Sequence, residues 1–259
     1  NKGDVSKHLA KKYNFASCTT DYQEITSNND INCVFILTRH NTHSEIVSKC
    51  LKKDKHVYVE KPLALSSKEL LSIKEAYDKS KGSLMIGFNR RFSNLVNKLK
   101  VSVDKRSGPI SINYQVAPGH LPSNHWSQDL EIGGGRIIGE VCHFIDLSNY
   151  LVNSEVVDIK HSFMKNQDST LRYSDNLALI ISYSDGSISQ ISYLPNTDRG
   201  LPKERIELVS SSGTYQLDNF ETLRIFKNGR LNTVRERNTD KGQKNMIREY
   251  FLSLIKSQS

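Results

Sequence analysis

"INCVFILTRHNTHSEIVSKCLKKDKHVYVEKPLAL", residues 31–65, decides the first half of the chain. Its opening run, 31–37, is apolar and rich in β-branched residues, as expected of a strand buried on both faces. "HSEIVSKCLKK" (43–53) spaces its apolar residues as a helix does, and "HVYVE" (56–60) reads as a second buried strand. Outward from there, "SSKELLSIKEAYDKS" (66–80) is a helix with serine available as its cap, and "SLMIGFN" (83–89) is a third strand. Residues 4–13 also have a helical pattern. Strand, helix, strand, helix, strand at these spacings predicts parallel βαβ units. In such open sheets, ligands bind beyond the carboxyl ends of the strands. Three segments fall there: "TRHNTH" (38–43), "EKP" (60–62) and "NRRF" (89–92).

Pro62 directly after Lys61 has a plain explanation. Proline cannot continue a central ladder and biases the preceding residue toward extended backbone, so the pair stops a strand. The clustering of three strand ends is the reason to read Lys61 functionally as well.

The pattern changes after about residue 105. "ISINYQV" (110–116), "NLALIISY" (176–183), "SISQISYL" (187–194), "RIELVS" (205–210), "TYQL" (214–217) and "LRIF" (223–226) alternate. Asp185-Gly186, Ser212-Gly213 and Asn228-Gly229 are hairpin signals. One helix, around 139–152, interrupts this half, and an amphipathic helix over 243–256 closes it. The expected fold is thus α/β followed by α+β: a parallel sheet over 1–92, then a mainly antiparallel sheet over 93–259. Apolar area on 176–194, at Ile180, Tyr183, Ile188 and Ile191, predicts a homodimer or higher oligomer through that sheet.

The net charge of +8 is spread along 259 residues and interleaved with acidic ones. That pattern argues against nucleic acid and for a local cationic cleft that takes an anionic small molecule. No apolar run approaches the roughly 18 residues of a membrane span. Cys18, Cys33, Cys50 and Cys142 lack CxxC spacing, which predicts free thiols, no metal site and a reducing cytoplasm. The chain begins at Asn1 in a helical pattern, so it is expected to be processed or part of something longer.

"VEKPLAL" (59–65), "GFNRRFS" (87–93) and "GGGRIIGEVCHFIDL" (133–147), in that order, resemble the glucose–fructose oxidoreductase / inositol dehydrogenase family, written Gfo/Idh/MocA. The resemblance implies an N-terminal Rossmann domain, a C-terminal antiparallel-sheet domain, and hydride transfer between NAD or NADP and a sugar, cyclitol or sugar nucleotide. "LPKERIELVSSSGTYQLDNF" (201–220) is similar to a subgroup fused behind a zinc-type alcohol dehydrogenase module, which would make this chain the C-terminal module of a two-domain oxidoreductase. The sequence also departs from the family. It holds no GxGxxG, so the Rossmann-like sheet reads as incomplete by one β-α-β unit of about 30 residues, and cofactor binding is expected to be weak or absent. Where the family has Asp four residues before its histidine stands Gly139, and the family's Thr-Pro-Asn appears as Thr38-Arg39-His40.

Oxidising a secondary alcohol takes a base for the hydroxyl proton and a cation against alkoxide charge. Lys61 can be both. The resemblance assigns the second catalytic group to His143. Glu140, three residues earlier, is placed to orient that imidazole. The strand-end loops supply the expected cofactor contacts: Thr38, Arg39, His40, His43, Glu60, Lys61, Asn89 and Arg90. Arg91 either meets an anionic group or is surface charge. Trp126, in "PSNHWSQD", either stacks on a sugar or seals an interface, and Tyr193 is a further substrate candidate. Gly133 to Gly135 read either as a flexible loop or as a close backbone approach to a ligand. The alternative for the whole chain is a catalytically inactive module that binds a ligand or dimerises beside another catalytic domain.

Overall fold

The computed structural model describes residues 3–164, 175–198 and 200–256. It divides into two compact units, with the boundary between Ile86 and Gly87.

The first unit opens with α1 (Gly3–Tyr13) and α2 (Tyr22–Ser27); α2 is capped by Asp21, whose side chain accepts from the Gln23 amide. The three parallel strands follow: β1 (Cys33–Ile36), then α3 (His43–Leu51), β2 (His56–Val59), α4 (Ser67–Lys79) and β3 (Leu84–Ile86), in sheet order β1-β2-β3. Val57, Tyr58 and Val59 of the central strand are at most 2% exposed, and Val57 and Val59 pack with Val47, Leu51 and Ile73 from the two crossover helices. The run 31–37, expected to be buried on both faces, is not: Phe35 and Leu37 are exposed, because β1 has a described neighbour on one side only. Ser66 caps α4 by accepting from the Glu69 amide, and Glu69 returns a carboxylate to the Leu65 amide.

The second unit holds α5 (Asn94–Val103), β4 (Ser111–Val116), α6 (Cys142–Val152), β5 (Val156–Phe163), β6 (Leu177–Tyr183), β7 (Ile188–Tyr193), β8 (Glu204–Ser210), β9 (Gly213–Asp218), β10 (Thr222–Lys227), β11 (Arg230–Arg235) and α7 (Gln243–Lys256). The sheet runs β11-β10-β9-β8-β4-β7-β6-β5, and every described pairing is antiparallel except β4 with β7. One face packs on α5 and α6 around Leu99, Tyr114, Phe144, Leu147, Ile191, Leu208 and Tyr215. Asn228 and Gly229 both take positive φ, the two-residue hairpin turn that their dipeptide signals.

Sequence reading missed α2, α5, β5 and β11. It also put Ile180, Tyr183, Ile188 and Ile191 on one surface. Residues three apart on a strand point to opposite faces. Ile180 and Ile188 are therefore exposed, while Tyr183 and Ile191 are core. The helix expected over 139–152 begins as a π-turn, Ile137–Val141, and becomes α-helical at Cys142.

Candidate functional site

In the first unit the carboxyl ends of β1 and β2 carry the loops 38–43 and 60–62. Thr38 and Thr42 share a hydroxyl–hydroxyl hydrogen bond of 2.6 Å, and the Thr42 hydroxyl donates to the Arg39 carbonyl at 2.8 Å. This holds Thr38 and Arg39 exposed, with His40 half-buried, in a tight turn into α3. His43 differs from the cofactor contact expected of it. Its ring is fully buried, with Nδ1 2.8 Å from the Pro62 carbonyl oxygen and Nε2 3.1 Å from that of Thr38. It fastens one loop to the other. Glu60 continues the ladder through its amide, which donates to the Ile36 carbonyl, and its carboxylate accepts from the Tyr58 hydroxyl at 2.9 Å. Burial, and then that carboxylate, push the Tyr58 phenol up from its ordinary value. Lys61 is half-buried at the end of this strand, and the Lys61–Pro62 peptide is cis.

In the second unit "NRRF" forms one short 3₁₀ turn, Asn89–Phe92. Asn89 and Arg90, expected to touch a cofactor, both have partners within the chain. Asn89 is buried, and its amide donates to the Lys241 carbonyl at 2.7 Å. Arg90, 6% exposed, makes a bidentate pair with Glu204 at 2.7 and 2.8 Å. Tyr114 donates to the same carboxylate at 2.6 Å, and Lys241 pairs with it at 2.9 Å. Burial alone would raise the Glu204 pKa, but Arg90, Lys241 and the Tyr114 hydroxyl outweigh it and hold the group down at about 2. Arg91 pairs with Asp146, with Nε 2.7 Å from Oδ2, and lies over the Tyr150 ring. Burial raises the Asp146 pKa against that pair.

His143 lies one residue into α6, 9% exposed, with its ring edge-on to Phe88 at 6.1 Å. Glu140, expected to orient that imidazole, has a different partner: its Oε1 accepts from Arg136 Nε at 3.0 Å. The π-turn breaks the α-helical spacing that would have stacked 140 over 143. Arg136, 3% exposed, also donates from Nη1 to the Gly119 carbonyl at 2.8 Å and lies over the Tyr193 ring. Tyr193 is fully buried, and burial, then Glu140, push its phenol up. Asp175 joins this group: burial raises its pKa, Arg136 lowers it and Glu140 raises it. Sequence reasoning missed Arg136, Asp175 and Glu204. Only Arg136 had a usable signal, an oppositely charged partner four residues on.

Gly133 answers the loop-or-approach question. A Cβ there would lie 2.4 Å from the Ser127 Cα, so the close approach is to the chain's own backbone. Trp126, half-buried, sits in the same loop, with its ring 5.8 Å from that of His125.

Residues 2–88 match the sequence profile described as "Oxidoreductase family, NAD-binding Rossmann fold". Myo-inositol 2-dehydrogenase of Thermotoga maritima is 25% identical over 224 residues, 83% of this chain and 65% of that protein. An uncharacterised oxidoreductase of Bacillus subtilis is 24% identical over 82% of this chain and 63% of its own length. The chain thus spans a little under two thirds of these relatives. Among solved structures, levoglucosan dehydrogenase in complex with NADH and levoglucosan superposes with a TM-score of 0.83 at 20% identity, over 96% of this chain and 77% of that one. The three motifs, the three-stranded parallel sheet, the eight-stranded sheet and these likenesses point the same way: residues 2–88 match the NAD-binding Rossmann domain of the Gfo/Idh/MocA oxidoreductases, and the rest of the chain is similar in fold to enzymes of that kind.

Proposed function

We propose that the protein transfers a hydride between NAD or NADP and a sugar, cyclitol or sugar nucleotide. The observation that carries this reading is Lys61, half-buried at the carboxyl end of the central parallel strand and followed by a proline whose carbonyl is fastened by His43. Thr38, Arg39, His40, Glu60 and Lys61 would hold the nicotinamide end of the cofactor, which supplies the hydride acceptor or donor. These loops fit that end: their side chains are exposed or half-buried on a hydrogen-bonded turn. The sequence has no Gly-rich turn for the pyrophosphate.

In alcohol oxidation Lys61 takes up the hydroxyl proton and its charge opposes alkoxide development. His143 is the second acid–base group. In the second unit Glu140, held by Arg136, is the candidate partner for substrate hydroxyls, and Trp126 and Arg91 are further substrate candidates. One observation favours the second reading, a binding or dimerisation module without catalysis: Gly139 stands where the family has Asp, and Glu140 is engaged by Arg136.

The test uses the protein expressed from its complete gene and follows NAD(P)H absorbance with inositols, anhydrosugars and sugar nucleotides. Lys61→Ala should lower turnover by roughly two to four orders of magnitude, the range for a positioned acid–base group. Lys61→Arg should fail nearly as badly, because a guanidinium stays protonated. Near-normal turnover in Lys61→Ala with a much earlier melt would make the lysine a strand stop and sink the assignment.

A further inference from the structure

A cavity of about 600 Å³ opens in the second unit, where three loops meet. They are 117–120, which leaves β4; 200–203, which enters β8; and the turn from β9 to β10, at 218–222. Its size suits a small molecule. Pairing places it: Val116 of β4 is opposite Tyr193 on one side and Glu204 on the other, so the cavity lies at the same end of the sheet as Tyr193. The two sets of residues are also linked directly, since the carbonyl of Gly119, on the cavity wall, accepts from Arg136.

The charges on the wall are not equivalent. Asp218 is paired with Arg224 and lies 3.7 Å from Arg205. Glu221 accepts from Asn219 at 3.0 Å and from Thr239. Both carboxylates are therefore satisfied inside the protein. Lys203 and His120 also line the cavity, and neither has an ion pair among the described residues. The backbone of Lys203 is fixed, because its carbonyl accepts from the Ala117 amide at 2.7 Å. Although its side chain is largely exposed, partial desolvation pulls the ammonium below the ordinary lysine range; Glu204 and Glu140 oppose this, while Lys241 and Arg90 add to it. A cation held in this way is stabilised by an anion that arrives with a ligand. Ala117, Pro118, Leu201 and Pro202 supply an apolar wall beside it.

We infer that this cavity binds an oxyanion carried on a carbohydrate, a carboxylate or a phosphate, with Lys203 as its cationic partner and the His120 imidazole beside it as a hydrogen-bonding group. The inference rests on the carbohydrate reading above and narrows it to charged sugars, but its test needs neither cofactor nor turnover, so the two fail separately. Isothermal titration of the protein with D-glucuronate, α-D-glucose 1-phosphate, D-glucose and inorganic phosphate separates the sources. At least one charged sugar should bind roughly tenfold or more tighter than both glucose and phosphate. Lys203→Met should remove that advantage, since a charge-assisted hydrogen bond is worth about that factor or more. Lys227→Met, at the exposed end of β10, should leave it intact. Circular dichroism of Lys203→Met checks the fold, which its main-chain contact should preserve. A misfolded Lys203→Met is replaced by Lys203→Gln with the same expectation. Equal binding of glucose and the charged sugars overturns the inference. So does phosphate binding as tightly as the sugar phosphate, or an unaltered preference in the Lys203 variant.

Discussion

Replacing Glu204 by glutamine removes one negative charge and almost no volume from the centre of the second unit. The residue is 1% exposed and accepts from Arg90 twice, from Tyr114 and from Lys241, at 2.6 to 2.9 Å. Arg90 would keep its charge at 6% exposure with its bidentate partner neutralised. Breaking one side of a buried pair costs about 3–5 kcal/mol. The pKa gives a second route to the same figure. Glu204 is held at about 2, against 4.5 for the ordinary group, and at roughly 1.4 kcal/mol per unit this comes to about 3 kcal/mol. Because the folded pKa is the lower one, this stability is fully present above about 4.5 and is lost as pH falls toward 2. Urea unfolding followed by fluorescence of Trp126, the single tryptophan and a residue of the second unit, reads the change where it arises. At neutral pH Glu204→Gln should lower the midpoint by the equivalent of about 3 kcal/mol, and the gap to the parent should close as pH drops from 4.5 to 2. A gap under about 1 kcal/mol at neutral pH, or one that persists unchanged at the acid end, would refute the reasoning.

The 259-residue chain should bind NAD(P) weakly or not at all, since its sequence holds no Gly-rich turn for the pyrophosphate; submicromolar binding by titration calorimetry would contradict this. The outward row Ile188, Val209, Phe226 and Leu231, aligned through Ser111 and Thr214 across the sheet, is expected to form a self-contact. Sedimentation velocity at roughly ten micromolar, typical of modest contacts, should show dimers that Ile188→Asp and Phe226→Asp dissociate; monomers of the parent chain would dismiss it. Gly133→Ala should destabilise the second unit by about 1–3 kcal/mol, because its new methyl meets the Ser127 backbone at 2.4 Å. An unchanged melting temperature would mean the loop yields more cheaply than packed backbone does.

The parallel unit was legible because its information is local. Each strand is a short apolar run, each helix has its own period, and Ser66 announces its cap. The order of the C-terminal strands was not, because the β4–β7 parallel pairing joins segments far apart in sequence, and nothing in either segment names its partner. β5 escaped notice for a different reason: seven of its eight residues are exposed, so its sequence "VVDIKHSF" carries no buried alternation to detect. The candidate site divides in the same way. Lys61 and His143 sit in motifs that can be read without a structure. Glu140 could be named but not aimed, since a π-turn leaves no mark in the sequence and decides which neighbour a carboxylate meets.

Positions 203 and 204 carry that argument to a single peptide bond. "KE" reads in the sequence as an unremarkable pair of charges, one of many in a chain with 36 basic and 28 acidic residues. Strand alternation sends the two side chains apart. Glu204 goes inward, where two cations and a phenol hold it ionised and where its loss should destabilise the unit. Lys203 goes to the cavity wall, where no described carboxylate pairs with it. The same backbone ladder, Ala117 to Lys203 and Asn219 to Glu204, fixes both. A rigid strand can therefore present a cation to solvent without local flexibility, because the stabilising contacts belong to the next residue. Variants at 204 should register in stability and variants at 203 in ligand preference, and exchanging those two outcomes would require β8 to be shifted by one residue.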